Sequence, residues 1–252
     1  MALLDNRGVQ IYYEVHGSGP TILLSHGYSA TSQMWKGQTT AFDGYQVITW
    51  DMRGHGKSDS PDDPSLYSAE LTISDMQAIL DQCNVDRAVV GGLSLGGYMS
   101  LAFNCSHNER VSALLLFDTG PGFKNDKARA GWNDIAAKTA ARLESDGFAS
   151  LGSGGEVRMS QHNSAQGLAH AARGILAQVD GRVIESLPRI SIPTLVLVGS
   201  LDKPFLAASD YMATKIPGAT KVVIDEAGHA SNIEKPEEFN RSVSDFLSKV
   251  QF

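Results

Sequence analysis

The stretch Gly92-Leu93-Ser94-Leu95-Gly96 reads G-x-S-x-G and lies between two segments of different character. Residues 87–91 before it form an apolar run typical of a buried strand, and residues 97–103 after it have a helix-like composition. A serine on a tight turn between a strand and a helix is a nucleophile elbow, which needs small flanking residues because the turn is sharp. The first free N–H groups of the helix stabilise negative charge there. We therefore predict that Ser94 carries an exposed, reactive hydroxyl.

Short apolar segments that end in polar residues recur along the chain and predict strands. They cover residues 9–15, 21–25, 45–50, 88–91, 113–117, 194–198 and 221–224. Residues 68–83 have helical periodicity, and residues 236–250 form an amphipathic helix with proline at its start. Strands that alternate with helices and are apolar throughout indicate a mostly parallel sheet covered on both faces. We therefore predict an α/β fold with its site at the carboxyl ends of the strands.

Residues 121–187 interrupt this alternation, because they contain helical patches at 128–143 and 165–179 but no convincing strand. We predict a helical cap inserted over the carboxyl edge of a core domain made of residues 1–120 and 188–252. The alternative, one crossover helix with long loops, needs more loop than compact domains use. A glycine-rich joint at 152–155 would let the cap move. Five apolar cap residues are candidates for the substrate-binding roof, with helix packing as the alternative for each: Phe123, Trp132, Phe148, Leu151 and Met159.

A serine hydroxyl becomes a useful nucleophile when a base contacts it and an acid orients that base. Among the seven histidines, His229 follows a predicted strand beside Gly228 and is the candidate base. Asp202 follows another strand and gives the chain order Ser, Asp, His. Asp118 ends the strand after the elbow helix and remains a competing candidate for the acid.

The oxyanion of an acyl-transfer intermediate needs two backbone donors. We expect one from the N–H of Leu95, directly after the serine, and one from the N–H of Tyr28, where Gly27 lets the chain turn closely. His26 is interpreted as a structural residue that holds this loop. Two cap histidines, His162 and His170, are weaker candidates for substrate contact.

The composition predicts a soluble protein with one substantial core and no obligatory second domain. The chain has 252 residues, 42% of them hydrophobic, and a formal net charge of -7. We expect no nucleic-acid or membrane partner, because no block of like charge and no apolar run of about 20 residues occurs. The two cysteines, Cys83 and Cys105, have no metal-ligand or redox spacing and are expected to be reduced. With no signal peptide evident, we expect a cytoplasmic location; the oligomeric state is left open.

Several motifs together resemble the α/β-hydrolase superfamily: Ser-His-Gly at 25–27, Asp-Met-Arg-Gly-His-Gly-Lys-Ser at 51–58, Gly-Leu-Ser-Leu-Gly-Gly at 92–97, Gly-Ser-Leu-Asp at 199–202 and Gly-His at 228–229. Within it, the chain is most similar to small bacterial carboxylesterases and 3-oxoadipate enol-lactonase-like hydrolases. The resemblance implies an α/β-hydrolase fold with Ser94 as nucleophile, Asp202 as acid and His229 as base. It also implies oxyanion donors at Tyr28 and Leu95. No Rossmann or P-loop glycine pattern and no metal-ligand cluster occurs in the sequence, so no cofactor or metal is expected.

The function expected from these residues is a serine hydrolase of small or medium carboxylic esters or lactones, acting through an acyl-enzyme. One alternative is a hydrolase that cleaves the C–C bond of a vinylogous diketone with the same triad, and a perhydrolase side activity also fits. A ligand-sensing receptor with a slow triad is the alternative from a different class. The fold alone does not choose among them.

Overall fold

An eight-stranded sheet forms the centre of the structure, a computed structural model that describes residues 2–251. The strands are β1 (Ala2–Asn6), β2 (Val9–Gly17), β3 (Thr21–Ser25), β4 (Gln46–Trp50), β5 (Ala88–Leu93), β6 (Val111–Phe117), β7 (Thr194–Gly199) and β8 (Thr220–Ile224). Their order is β1-β2-β4-β3-β5-β6-β7-β8. β2 pairs antiparallel with β1 and with β4, whereas all the other pairs are parallel. The predicted α/β fold with a mostly parallel sheet is confirmed.

Helices cover both faces of the sheet and fill the segment between β6 and β7. They are α1 (Ala69–Gln82), α2 (Leu95–Ser106), α3 (Asp126–Asp146), α4 (Gly155–Arg158), α5 (Ala165–Ala171), α6 (Arg182–Ser186), α7 (Lys203–Lys215), α8 (Ser231–Glu234) and α9 (Pro236–Leu247). A π-helical turn, Ala172–Leu176, continues α5. None of the helices in residues 2–251 is both long and apolar enough to span a bilayer.

Two hydrophobic clusters divide the core between the faces of the sheet, because successive side chains of a strand point to opposite sides. Leu23, Val90 and Leu114 pack with α1, α2 and α7 on one face. Their strand neighbours Ile22, Val89 and Leu115 pack with α9 on the other face. Since β3, β5, β6 and β7 are buried along their whole length, the carboxyl edge is the place where polar side chains emerge.

The helical segment between β6 and β7 agrees with the expected position of the cap, whose boundaries at 121 and 187 stay a prediction. Its apolar centre comprises Ala140, Leu143, Leu168, Ala169 and Ala172, all buried. Tyr28 of the core and Leu151 of the cap pack against this cluster. The cap therefore rests on the loop that follows β3.

The buried carboxylate of Asp51 holds together the loops that follow β3 and β4. Its Oδ1 accepts a hydrogen bond from the N–H of Ser32 (2.7 Å), and its Oδ2 accepts one from the N–H of Lys57 (2.9 Å). A charged acceptor with two backbone donors makes stronger hydrogen bonds than a neutral pair. This acid at the end of β4 therefore gives a fixed shape to the rim on which the cap rests.

Candidate active site

Ser94 lies in a strained turn between β5 and α2, as the G-x-S-x-G motif predicts. Its backbone has φ 54° and ψ -116°, a conformation that residues other than glycine seldom adopt. The N–H of Ser94 donates to the carbonyl of Phe117 (3.0 Å), and the hydroxyl of Thr119 donates to the carbonyl of Ser94 (2.6 Å). The turn is thus anchored to β6 and to the residues that follow it. The Ser94 hydroxyl itself has no hydrogen bond among residues 2–251.

The glycines on either side of Ser94 are required by close backbone contacts. A Cβ at Gly96 would lie 2.1 Å from the carbonyl oxygen of Ser25, and a Cβ at Gly92 would lie 2.4 Å from the same oxygen. Real Cβ atoms do not approach this closely, so only glycine lets α2 begin directly against the end of β3. The contact also brings the loop after β3 to Ser94, since a Cβ added to Gly27 would lie 3.6 Å from the Cβ of Ser94.

The structure pairs His229 with Asp202. Nδ1 of His229 lies 2.8 Å from Oδ2 of Asp202, whose side chain is 4% exposed, whereas the side chain of His229 is 34% exposed. With Nδ1–H donating to the carboxylate, Nε2 is left as the nitrogen that accepts a proton. Burial opposes protonation of the ring, but the hydrogen bond and charge of Asp202, together with Asp118 and Glu156, raise the pKa of His229 above its ordinary value.

Asp118, the competing acid, has other partners. Its Oδ1 accepts from the N–H of Gly199 (2.8 Å) and its Oδ2 accepts from the hydroxyl of Ser231. The side chain is fully buried, and burial raises the pKa of this carboxyl to about 7 despite both donors. Asp118 therefore links the ends of β6 and β7 to the segment that follows His229, while Asp202 makes the direct bond to the imidazole.

Two backbone N–H groups beside Ser94 are free to donate. Leu95 begins α2, and Tyr28 lies in the turn after β3. Neither N–H has an acceptor among residues 2–251. Oxyanion holes are commonly formed by unpaired backbone N–H groups at a helix N-terminus and in an adjacent loop. The predicted pair is therefore available for that role.

Phe205 is a site residue that the sequence analysis missed. Its ring stacks on the imidazole of His229, with the centroids 5.1 Å apart and the planes 26° apart. Phe205 lies three residues after Asp202, in the first turn of α7, and three-residue spacing places side chains on one face of a helix. That spacing was the available signal, but α7 itself was not predicted.

The five candidate roof residues are in different environments. The indole N–H of Trp132 donates to the carbonyl of Leu176 (2.8 Å), and its ring lies 6.0 Å from that of Phe123. Both therefore contribute to packing within the cap. Phe148 is 43% exposed and Met159 is 40% exposed. Leu151 is the candidate that shares an apolar cluster with Tyr28.

Of the other histidines singled out by sequence, His26 and His162 hold loops together, whereas the ring of His170 lies against that of Tyr67. Nδ1–H of His26 donates to the carbonyl of Gly27 (2.7 Å), and its Nε2 accepts from the N–H of Met52 (2.9 Å). His162 also uses both ring nitrogens, on Gly56 and Ser29. Among residues 2–251, His, Cys, Asp and Glu side chains form no group of three that could hold a metal ion.

Comparison with known proteins identifies the family of the chain. Residues 22–242 match the alpha/beta hydrolase family. The chain belongs to that family. It is 31% identical to 3-oxoadipate enol-lactonase 1 of Acinetobacter baylyi, with 99% of this chain and 97% of the relative covered. It is also 25% identical to a putative 2-succinyl-6-hydroxy-2,4-cyclohexadiene-1-carboxylate synthase of Bacillus subtilis, with 95% and 96% covered.

A solved structure of a thermophilic esterase from Thermogutta terrifontis has a TM-score of 0.86 and 28% identity to this hydrolase. The similarity covers 99% of this chain and 97% of the esterase. The sequence-based prediction of an ester-type hydrolase with an α/β-hydrolase fold is confirmed by these relatives.

The pH dependence of the hydrolase is expected to follow His229. A base must be unprotonated to act, and the pKa of this ring is raised above about 6.5, so kcat/KM should rise with pH through a midpoint above that value and then level off. Initial rates of aryl ester hydrolysis at pH values from about 5 to about 9 measure this profile. The rise of kcat/KM with pH should persist in Asp118→Asn, which would assign the rise to His229 and not to the nearby Asp118 carboxyl. A flat profile would contradict a histidine base.

The two acids are expected to respond differently to substitution by asparagine. Asp202→Asn removes the charge that stabilises the imidazolium and permits the wrong tautomer, a change that lowers kcat by up to ~10⁴-fold in a comparable triad. Asp118→Asn can still accept from Gly199 N–H through Oδ1 and donate to Ser231 through Nδ2, so a loss of less than ~10-fold is expected. Steady-state kinetics and thermal melting of both variants decide the matter. The assignment is wrong if Asp118→Asn is the inactive one.

Proposed function

We propose that this chain hydrolyses small or medium carboxylic esters or lactones through an acyl-enzyme on Ser94, with His229 as base, Asp202 as its orienting acid, and the N–H groups of Tyr28 and Leu95 as the oxyanion hole. The observation that carries the proposal is the 2.8 Å bond between His229 and Asp202 at the same sheet edge as the strained turn of Ser94. Few hydrogen bonds separate the turn of Ser94 from the segment of His229. Ser94 bonds to Phe117 and Thr119, and Asp118, which lies between those two residues, bonds to Ser231, two residues after His229.

In the first half of the reaction, Oγ of Ser94 attacks the acyl carbon and its proton passes to Nε2 of His229. The carbonyl oxygen becomes an oxyanion, which the N–H groups of Tyr28 and Leu95 stabilise together with the N-terminal end of α2. Collapse of this intermediate breaks the bond to the leaving oxygen. The imidazolium returns its proton to that oxygen, so an alcohol departs and the acyl group stays on Ser94.

In the second half, a water molecule takes the place of the alcohol. His229 accepts a proton from the water as it attacks the acyl carbon, and the same two N–H groups hold the second oxyanion. Collapse of the second intermediate breaks the bond between the acyl carbon and Oγ, the imidazolium returns its proton to Oγ, and the acid leaves with the Ser94 hydroxyl restored. In a lactone the alcohol and the acid belong to one molecule, so ring opening gives a single hydroxy acid.

Three observations support an ester or lactone substrate with an acyl group of limited size. The relatives named for ester or lactone substrates are similar over nearly their whole length, and the cap cluster of Leu143, Leu168 and Ala172 covers the Tyr28 side of the site with apolar surface. Leu151 adds to that surface. Apolar walls with a few polar groups are typical of pockets that enclose small ligands.

The test of this proposal is turnover and covalent labelling at Ser94. Purified protein should hydrolyse aryl acetate or butyrate, and a fluorophosphonate probe should add to Ser94 in intact-mass and peptide mass spectra. Ser94→Ala should lower kcat by ~10³-fold or more and abolish labelling, because no other group can form the acyl-enzyme. Ser106→Ala, at the far end of the same helix, is the matched control and should behave as wild type.

An enol-lactone and a vinylogous diketone are tested beside the aryl esters, since one relative is named as a putative synthase and C–C hydrolysis can use the same triad. Faster turnover of the diketone than of any ester would show that C–C bond hydrolysis, not ester hydrolysis, is the main reaction. Retention of more than a tenth of wild-type ester turnover in Ser94→Ala would refute the triad.

Leu151 is expected to limit the length of the acyl group. Leu151→Ala removes apolar volume beside Tyr28, so the ratio of kcat/KM for an aryl octanoate to that for the butyrate should rise by ~10-fold, the order expected for a few methylene groups. Ile135→Ala, an exposed apolar residue on α3 (54% exposed), is the control and should leave the ratio unchanged. Equal ratios in all three proteins would show that the cap cluster does not select the acyl chain.

A further inference from the structure

The cap contacts the loop of the oxyanion hole through two hydrogen bonds. The hydroxyl of Tyr28 donates to the carbonyl of Leu168 (2.8 Å), and Nε2 of His162 lies 3.0 Å from the carbonyl oxygen of Ser29. His162 and Ser29 are 133 positions apart in the chain. The turn that carries the proposed Tyr28 donor is therefore fixed in part by residues of another layer of the molecule.

The hydrogen bonds of His162 determine its tautomer. Nδ1 accepts from the N–H of Gly56 (3.1 Å), so in the neutral ring the proton is on Nε2 and is donated to Ser29. Burial lowers the pKa of His162, which favours this neutral form. One ring thus bridges the loop after β4 to the loop after β3.

From Ser29 the hydrogen bonds continue to the oxyanion donor. The carbonyl of Ser29 and the N–H of Ala30 belong to one peptide group, and that N–H donates to the carbonyl of Gly27 (3.1 Å). The carbonyl of Gly27 in turn shares a peptide group with the N–H of Tyr28. Two peptide groups in series therefore connect Nε2–H of His162 to the N–H that is proposed to hold the oxyanion.

This arrangement has both a geometric and an electrostatic consequence. Ser29 has φ 57°, a left-handed conformation that costs free energy in a non-glycine residue and persists only where its surroundings enforce it. The hydrogen bond from His162 to the carbonyl of Ser29 helps to hold this conformation. In a chain of hydrogen bonds each donor also polarises the next peptide group, so the bond from His162 strengthens the Tyr28 N–H as a donor.

We propose that His162 is a positioning residue that aligns and polarises the Tyr28 N–H through the peptide groups of Ser29 and Gly27, so that docking of the cap completes the oxyanion hole. The inference rests on the proposed function, because it gives the cap a part in the chemistry of that site. Lifting of the cap residues around His162 would remove the donor from Ser29 and leave the hole without its alignment.

The experiment compares three variants of the full chain. His162→Phe keeps an aromatic ring beside His55 and Phe148 but removes both hydrogen bonds, whereas His162→Gln offers an amide oxygen to Gly56 and an amide N–H to Ser29. His170→Phe is the control, a cap histidine whose ring lies against Tyr67 instead of the site. Each protein is measured for kcat and KM on an aryl butyrate, active-site concentration by burst titration, thermal melting, and inhibition by a trifluoromethyl ketone whose adduct carries an oxyanion.

For His162→Phe we expect kcat per titrated site to fall by ~10- to 100-fold with KM within ~2-fold, part of the ~10²- to 10³-fold effect of deleting an oxyanion donor. Affinity for the trifluoromethyl ketone should fall by a similar factor, His162→Gln should recover most of both, and His170→Phe should match wild type. If His162→Phe does not fold, His162→Ala takes its place in the comparison with His162→Gln.

The inference is overturned if kcat per titrated site is unchanged in the variant without hydrogen bonds, or if His162→Gln loses as much as that variant. A loss that appears only in melting temperature or active fraction also overturns it, because a purely structural role predicts that pattern. The proposed function fails separately, when Ser94→Ala keeps ester turnover. A wild type that hydrolyses esters through Ser94, with His162→Phe at full kcat, refutes the inference alone.

Discussion

The left-handed backbone at Ser94 is the constraint on which the rest of the site depends. A conformation of this kind costs ~1–3 kcal/mol in a non-glycine residue, and it persists because the surrounding structure holds it. Here two hydrogen bonds hold the conformation. The carbonyl of Phe117, at the end of β6, accepts from the N–H of Ser94, and the hydroxyl of Thr119, two residues later, donates to the carbonyl of Ser94. The reactive turn is therefore stable only in an assembled sheet, with β5 and β6 in register.

The same constraint fixes the neighbouring loops. Because Gly96 brings the start of α2 against the end of β3, the turn at Gly27 and Tyr28 has to pass directly beside Ser94. The free N–H of Leu95 then lies at the beginning of a helix, where the dipole favours negative charge. A sharp turn between a strand and a helix thus places the half-buried Ser94, one orphan N–H donor and a second loop close together.

The features that sequence could predict are those set by local pattern. The strands from β2 to β8 and the helices α1, α2, α3, α5 and α9 follow from runs and periods of apolar residues, and their bounds differ from the expectation by a few positions. β1 was missed because its residues are mostly exposed and mix leucine with polar side chains, so no run or alternation marks it. α4 and α6 span only four and five residues, too short for a helical period to emerge.

The site divides in the same way. Ser94 is marked by five consecutive residues, and His229 by its place after the last strand. For the acid, sequence favours Asp202 by the chain order Ser, Asp, His but leaves Asp118 as a competitor, because both follow buried strands. The choice is three-dimensional: the bond from His229 goes to Asp202. The contacts of His162 are further from prediction, since they join backbone groups of two loops to a cap side chain more than a hundred residues away.

The two carboxyls have different tasks because they have different partners. Asp202 has an imidazole to stabilise, and its charge contributes to the raised pKa of that ring. Asp118 has a backbone N–H and a serine hydroxyl as partners. Burial, with a smaller contribution from the charge of Asp202, raises the pKa of Asp118 to about 7, so it is a poor place for a permanent charge at neutral pH. Its role is structural. Through hydrogen bonds from Gly199 and Ser231 it connects β7 and the helix after His229 to β6, the strand that also bonds to Ser94. The turn of Ser94 and the segment that carries His229 are thereby both attached to β6 by short hydrogen bonds.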